Sequence, residues 1–320
     1  MAGHKRVTAT LAAAALATVA LASSGQAANY KGFVRSQSII SPQELNQLIQ
    51  AKDPKLVIVA VAKPASYALG HIPGALQIWR GDYEPKEGDP FPFEGMMLNR
   101  EQFQELARKL GINNDSTVVL YDEKYDATRV WWGFFLYGKE DVRVLDGGYQ
   151  AWKYAGYDTQ AGLAPSVVPG TFTASEPRPG WLVSMHAVWE AKVDADYQLW
   201  DDREPNEWNG ETLKKGAYRK GRVPWAKFLN WKEFKQQVPG TKAYTEFKDA
   251  AGIQAAIQKF GIREDANQVF YCQSGVRTTT LMFGLYLMGW NPDMLHNYDG
   301  SWIEWSYYKE NPIVNEQEQK

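Results

Sequence analysis

Apolar positions recur along the chain in two distinct patterns. Leu56 to Val61 is unbroken and mostly β-branched, the mark of a strand buried on both faces. Thr117 to Tyr121, Tyr197 to Trp200 and Gln268 to Tyr271 read as further strands. Between these runs lie segments of helical spacing. Ser41-Pro42-Gln43-Glu44 is a capping box with Pro at the first helical position, and predicts a helix to about Ala51. Asn99 caps a second helix that carries Phe103, Leu106, Ala107 and Leu110 on one face and stops at Gly111. Thr128 to Tyr137, Ala250 to Phe260 and Thr278 to Met288 are further segments of helical length. Strands alternating with helices predict an α/β fold with mainly parallel sheets flanked by helices. In such sheets ligands bind at the carboxyl ends of the strands.

The pattern occurs twice. Gly70-His71-Ile72-Pro73 matches Gly221-Arg222-Val223-Pro224 at an offset of 151 residues. Leu110-Gly111-Ile112 matches Phe260-Gly261-Ile262, and Leu120-Tyr121-Asp122 matches Phe270-Tyr271-Cys272, both at 150. Leu145-Asp146-Gly147 matches Tyr298-Asp299-Gly300 at 153. Four anchors in order point to duplication. The expected organisation is a first unit over 28–161, a linker over 162–180 rich in Pro, Ser, Thr and Gly, and a second unit over 181–320.

The N-terminus stands apart from both units. Lys5 and Arg6 precede an apolar stretch from Leu11 to Leu21, too short to span a bilayer, followed by Gly25-Gln26-Ala27. This predicts a signal peptide over 1–27, cleaved after Ala27 or Ala28, and hence an exported, periplasmic or secreted chain with no membrane anchor after cleavage. Its removal takes two positive charges and no negative ones, which turns the net charge from −2 into −4. That balance provides no electrostatic footprint for nucleic acid.

Cysteine usage sharpens the search for chemistry. The only one in the chain is Cys272, so no intrachain disulfide, CxxC pair or multi-cysteine metal site can form. His186 and His296 have no ligand-spaced partners, and no metal is expected. A lone thiol in an exported protein is either buried and inert or retained for its reactivity. Cys272 follows a strand and precedes Gln273-Ser274-Gly275-Val276-Arg277, then a helix. A tight strand-to-helix loop turns its N–H groups inward at the positive end of the helix dipole, which favours a thiolate at its entrance. Gly275 supplies the backbone freedom for the curve, and Arg277 offers a charged fork for an oxyanionic group.

These residues carry a family resemblance. Tyr67-Ala68-Leu69-Gly70-His71-Ile72-Pro73-Gly74-Ala75-Leu76-Gln77-Ile78 resembles the N-terminal signature of rhodaneses. Tyr298-Asp299-Gly300-Ser301-Trp302-Ile303-Glu304-Trp305 resembles their C-terminal signature, and Cys272 to Arg277 resembles their active-site loop. The chain is similar to two-domain sulfurtransferases of the thiosulfate and 3-mercaptopyruvate type. The resemblance implies two tandem rhodanese-like domains, with Cys272 as the nucleophile that forms a persulfide. It implies Gln273, Ser274, Gly275, Val276 and Arg277 as substrate-binding residues, with Asp201 and Arg203 in support, and no metal or organic cofactor. The partners implied are a small sulfur-donor anion and a cyanide or thiol acceptor, with room for a protein acceptor.

Departures from the family pattern bear on the donor. Asp122 takes the cysteine position in the first unit, which is therefore expected to be non-catalytic, with His71 in a structural role. Glu207 stands where vertebrate-type enzymes carry a substrate-binding arginine, and Gln273 and Ser274 where they carry cations. The loop follows neither the usual thiosulfate nor the usual mercaptopyruvate pattern, so the donor stays open. A tyrosine-phosphatase reading needs five residues between Cys and Arg, and Arg277 follows Cys272 after only four. A periplasmic carrier of sulfur, selenium or tellurium would use the same thiolate without rapid turnover.

Overall fold

In the computed structural model, residues 29–85, 90–243 and 245–317 are described, so the predicted signal peptide over 1–27 lies outside the described residues. The first unit holds β1 (Ile39–Ile40), α1 (Pro42–Ala51), β2 (Leu56–Val61), α2 (Pro64–Leu69), β3 (Leu76–Ile78) and α3 (Arg80–Tyr83). It continues through α4 (Arg100–Lys109), β4 (Thr117–Asp122), α5 (Asp126–Leu136), β5 (Val142–Leu145) and α6 (Gly148–Tyr154). Its strands form one parallel sheet in the order β1-β5-β4-β2-β3.

The second unit repeats the plan with β6 (Leu182–Val183), α7 (Met185–Val193), β7 (Tyr197–Asp201), α8 (Pro205–Trp208) and β8 (Lys227–Phe228). A short antiparallel ribbon of β9 (Lys235–Gln236) and β10 (Glu246–Phe247) follows, then α9 (Ala250–Phe260) and β11 (Asn267–Tyr271). The unit ends with α10 (Thr278–Leu287), β12 (Leu295–Tyr298) and α11 (Ser301–Tyr307). Its parallel sheet runs β6-β12-β11-β7-β8, the same order in the repeat.

The unbroken apolar runs are explained by two-sided burial. Val59, Val61, Val118 and Leu120 enter the large core, while Ile58, Ala60 and Val119 enter a smaller core on the opposite face. Helices α5 and α10 are buried along their whole lengths because they pack against each other between the two sheets. Trp131 meets Phe283 edge-on at 4.6 Å, and the Thr128 and Thr279 hydroxyls lie 2.9 Å apart. Helix α5 starts two residues before the apolar spacing alone predicts. The Asp122 carboxylate accepts the Ala127 N–H at 2.6 Å and so closes the first turn. Residues 162–180 hold no helix or strand but are pinned to the first unit. The Gly170 and Phe172 amides donate to Arg108 and Ile112 carbonyls, and Phe172 is buried.

A buried acid and a buried base also face each other across the units. Asp122 occupies the position in the first unit that Cys272 holds in the second, and the charge of Lys235 in the second unit acts on it. Burial pushes the Asp122 carboxyl up against the pull of Lys235, and brings the Lys235 ammonium down against the pull of Asp122. Lys235 also donates to the Thr245 carbonyl at 2.7 Å. Removing one partner of such a pair leaves an uncompensated buried charge. Lys235→Met is expected to lower stability by about 3 kcal/mol at neutral pH. Adding Asp122→Asn should recover most of that loss in urea unfolding, and additive losses would deny the coupling.

Candidate active site

The loop from Cys272 to Arg277 connects β11 to α10 at the carboxyl edge of the second sheet. Gly275 is left-handed at φ +69°, and a Cβ there would lie 2.7 Å from Asp299 Oδ1, so only glycine fits. Ser301 holds the loop from below. Its Oγ accepts the Cys272 N–H at 3.1 Å and the Gly275 N–H at 2.9 Å, and donates to the Tyr298 carbonyl at 2.8 Å. Ser301 pays for this placement with a left-handed backbone, φ +50°, at the position where the first unit has Gly148.

The cysteine is 1% exposed. Burial alone would push the Cys272 thiol up. The Arg277 guanidinium and the N–H groups of Thr278, Ser274 and Arg277 outweigh it and bring the thiol below its ordinary value. The inward-turned amides expected of the loop are therefore present at the sulfur.

Arg277 already faces a carboxylate in the folded chain. Its fork is filled by Glu207, with contacts of 2.6 and 3.0 Å, and both side chains are buried. Burial works against the Glu207 carboxylate, but Arg277 holds it down to about 2, helped by Lys214 at 3.4 Å. On the adjoining strand, Asp201 and Arg203 form a second buried pair at 2.6 Å. Asp201 also accepts the Tyr271 hydroxyl at 2.6 Å, and Arg203 donates to the Gly221 carbonyl at 2.8 Å. This pair thus holds the strand residue that precedes Cys272. Asp202, next in sequence, is fully buried, and neither carboxylate oxygen has a hydrogen-bond partner among the described residues.

The first unit completes the loop. Arg129, buried on α5, donates to Asp299 Oδ1 and, at 3.2 Å, to the Gly275 carbonyl. The Met97 amide donates to Asp299 Oδ2 at 2.7 Å. Gly95 lies against Ser274, where an added Cβ would stand 2.6 Å from the Ser274 Cβ. A cavity of about 510 Å³ runs between the units, bounded by Trp79, Arg80, Glu84, Glu94, Gln273 and Ser274. Gln273 donates to the Lys215 carbonyl at 3.1 Å, and Val276 packs inward. His71 stacks on Tyr67 and its Nδ1 lies 2.9 Å from the Tyr67 carbonyl, away from the loop.

Cys272 through Arg277, Asp201 and Arg203 thus come together at one place. The sequence reading missed Arg129, Asp299, Ser301 and the side chain of Asp202. Two of these left a local trace: Arg129 is the basic residue in an otherwise largely apolar helix, and Asp202 doubles a carboxylate at a strand end.

Comparison with known proteins follows the same lines. Residues 41–155 and 184–307 each match the family model of the Rhodanese-like domain. Over 301 residues the chain is 31% identical to the sulfur carrier protein TtuD of Thermus thermophilus, covering 90% of this chain and 100% of that one. Over 262 residues it is 32% identical to the thiosulfate sulfurtransferase of Corynebacterium glutamicum, covering 77% and 80%. Among solved structures it is similar to the anaerobic ergothioneine biosynthesis enzyme from Chlorobium limicola, in complex with its natural substrate trimethyl histidine. That alignment has a TM-score of 0.74 at 27% identity, over 88% of this chain and 71% of that one.

Glu207 offers a direct test of the charge balance. Glu207→Gln leaves the Arg277 charge unopposed beside Cys272. The thiol midpoint is expected to fall by about one pH unit, read from thiolate absorbance against Cys272→Ser as blank. An unchanged midpoint would mean that Glu207 does not temper Arg277.

Proposed function

The chain belongs to the rhodanese family, and from that premise we propose that it transfers a sulfane sulfur through a persulfide on Cys272. The observation that carries this reading is the one cysteine, lying in a loop where Arg277 and three N–H groups overcome burial to favour the thiolate. In the first half-reaction the thiolate attacks the outer sulfur of a donor. With thiosulfate, the donor S–S bond breaks and its electron pair leaves on sulfite. In the second, cyanide or a thiolate attacks the outer sulfur of the persulfide, and the bonding pair returns to the Cys272 sulfur. The loop amides stabilise the thiolate before and after transfer. Thiosulfate and 3-mercaptopyruvate are both candidate donors.

In this reading the first unit is non-catalytic, since an Asp122 carboxylate cannot carry a persulfide. It serves instead to hold the loop through Arg129 and to wall the cavity. The signal-like N-terminus supports export, with a mature chain that begins near Asn29. The mass of the chain recovered from the cell envelope tests this, because an intact Met1 would overturn it.

A carrier role is the second reading, and Glu207 favours it. With the Arg277 charge opposed by Glu207, the cation nearest the loop in sequence has less pull on a doubly charged donor. The relative in Thermus thermophilus is named a sulfur carrier protein. Steady-state kinetics separate the two. An enzyme with thiosulfate and cyanide should show parallel double-reciprocal lines, with turnover abolished in Cys272→Ser. Its rate should fall as pH drops through the lowered Cys272 value, because the attacking thiolate is then lost. A carrier would load sulfur once and turn over slowly with small acceptors. Turnover that persists in Cys272→Ser would overturn both.

A further inference from the structure

Asp202 is the buried charged-type group that the reading above leaves without a role. It follows β7 directly, and its amide donates to the carbonyl of Tyr271, the residue before Cys272, at 2.9 Å. Since Asp201 is in register with Tyr271, Asp202 comes level with Cys272 on the neighbouring strand. It is 0% exposed, and among the described residues both side-chain oxygens lack hydrogen-bond partners. A buried carboxylate with no hydrogen bond is costly, whereas the neutral acid has one O–H to donate.

The surrounding charges define the state of this group. Arg277 from the loop has its fork filled by Glu207 of α8. Arg203 is occupied by Asp201, which also takes the Tyr271 hydroxyl. Tyr125 of the first unit adds a phenol near Arg277. Among the described residues no cation forms an ion pair with Asp202, and Cys272 is the ionisable neighbour that bears on it most. Burial first, then Cys272 and Asp201, push the Asp202 carboxyl well above the usual range, with Arg277 acting the other way.

We propose that Asp202 is a carboxylic acid in the resting protein and donates its O–H to the Cys272 sulfur, so that one proton serves the pair. With that one proton on Asp202, the sulfur is the thiolate of the pair and the total charge is −1. The later role rests on the sulfurtransferase reading. When an acceptor thiolate takes the outer sulfur, the S–S bond breaks and its electron pair returns to the Cys272 sulfur, and the Asp202 hydrogen bond meets the charge that forms there. Charge is conserved, because one anionic acceptor and one anionic persulfide become one anionic product and one thiolate. Once Asp202 loses its own proton at higher pH, two anions adjoin and the thiolate loses its donor.

The test needs no sulfur donor, so it stands apart from the sulfurtransferase reading. A chain labelled with ¹³C at cysteine Cβ has one labelled resonance, which can be followed against pH in the wild type, Asp202→Asn and Asp202→Leu. The wild type should show a main step for Cys272 and a second inflection at higher pH as Asp202 ionises. Asp202→Asn, which keeps an N–H donor but cannot titrate, should lose the second inflection and keep the main step nearly in place. Asp202→Leu should lose the inflection and raise the main step by about one pH unit. If the leucine variant fails to fold, the asparagine variant decides alone. A second inflection that survives in Asp202→Asn overturns the proposal. So does a main step that stays or falls in Asp202→Leu, since Asp202 would then not be the donor.

Discussion

The Cys272 loop keeps its shape because a carboxylate behind it is completed from the other half of the chain. Asp299 accepts from Arg129 and from the Met97 amide, both in the first unit, and Arg129 reaches on to the Gly275 carbonyl. Charge-assisted bonds of this kind, made out of water, are strong when complete and costly when broken. The duplicated position obeys the same rule. Asp146 accepts the Phe247 amide of the second unit at 2.7 Å, and Lys31 at 2.7 Å. Met97 and Phe247 lie 150 residues apart, the spacing of the repeat itself. Each unit therefore closes the other, and a catalytic unit cut free would lose the anchor of its own loop.

Within that frame the electrostatics of the site are balanced in pairs. Arg277 meets Glu207, and Arg203 meets Asp201. Beside these pairs, the N–H groups of the loop and the residual field of Arg277 bring the Cys272 thiol below its ordinary value. The Arg277 guanidinium acts on the sulfur while two of its donors also hold a carboxylate that only folding brings near, 70 residues upstream. The first unit shows the other outcome of duplication. Its Asp122 is buried, feels the charge of Lys235 in the second unit and caps the start of α5 through the Ala127 N–H.

What could be read from the sequence was local or periodic. The strand runs, the capping boxes at Ser41 and Asn99, the repeat and the Cys272 loop are all contiguous patterns, and each has a counterpart in the structure. What escaped depends on pairs far apart in the chain: Arg129 and Asp299 are separated by 170 residues and belong to different units. Ser301 escaped for another reason. Its role needs a left-handed backbone, and serine gives no sign of that. Comparison with Gly148 in the first repeat was the available clue. Asp202 was overlooked beside Asp201 because only burial distinguishes an ion-paired carboxylate from an unpartnered one.

Intact mass of the two-unit protein before and after incubation with thiosulfate shows whether Cys272 becomes a persulfide. The expected result is a gain of one sulfur atom, reversed by cyanide and absent in Cys272→Ala. A wild-type protein that gains nothing from thiosulfate, 3-mercaptopyruvate or polysulfide, with a Cys272 that also resists alkylation until unfolded, would contradict it and leave a buried core cysteine.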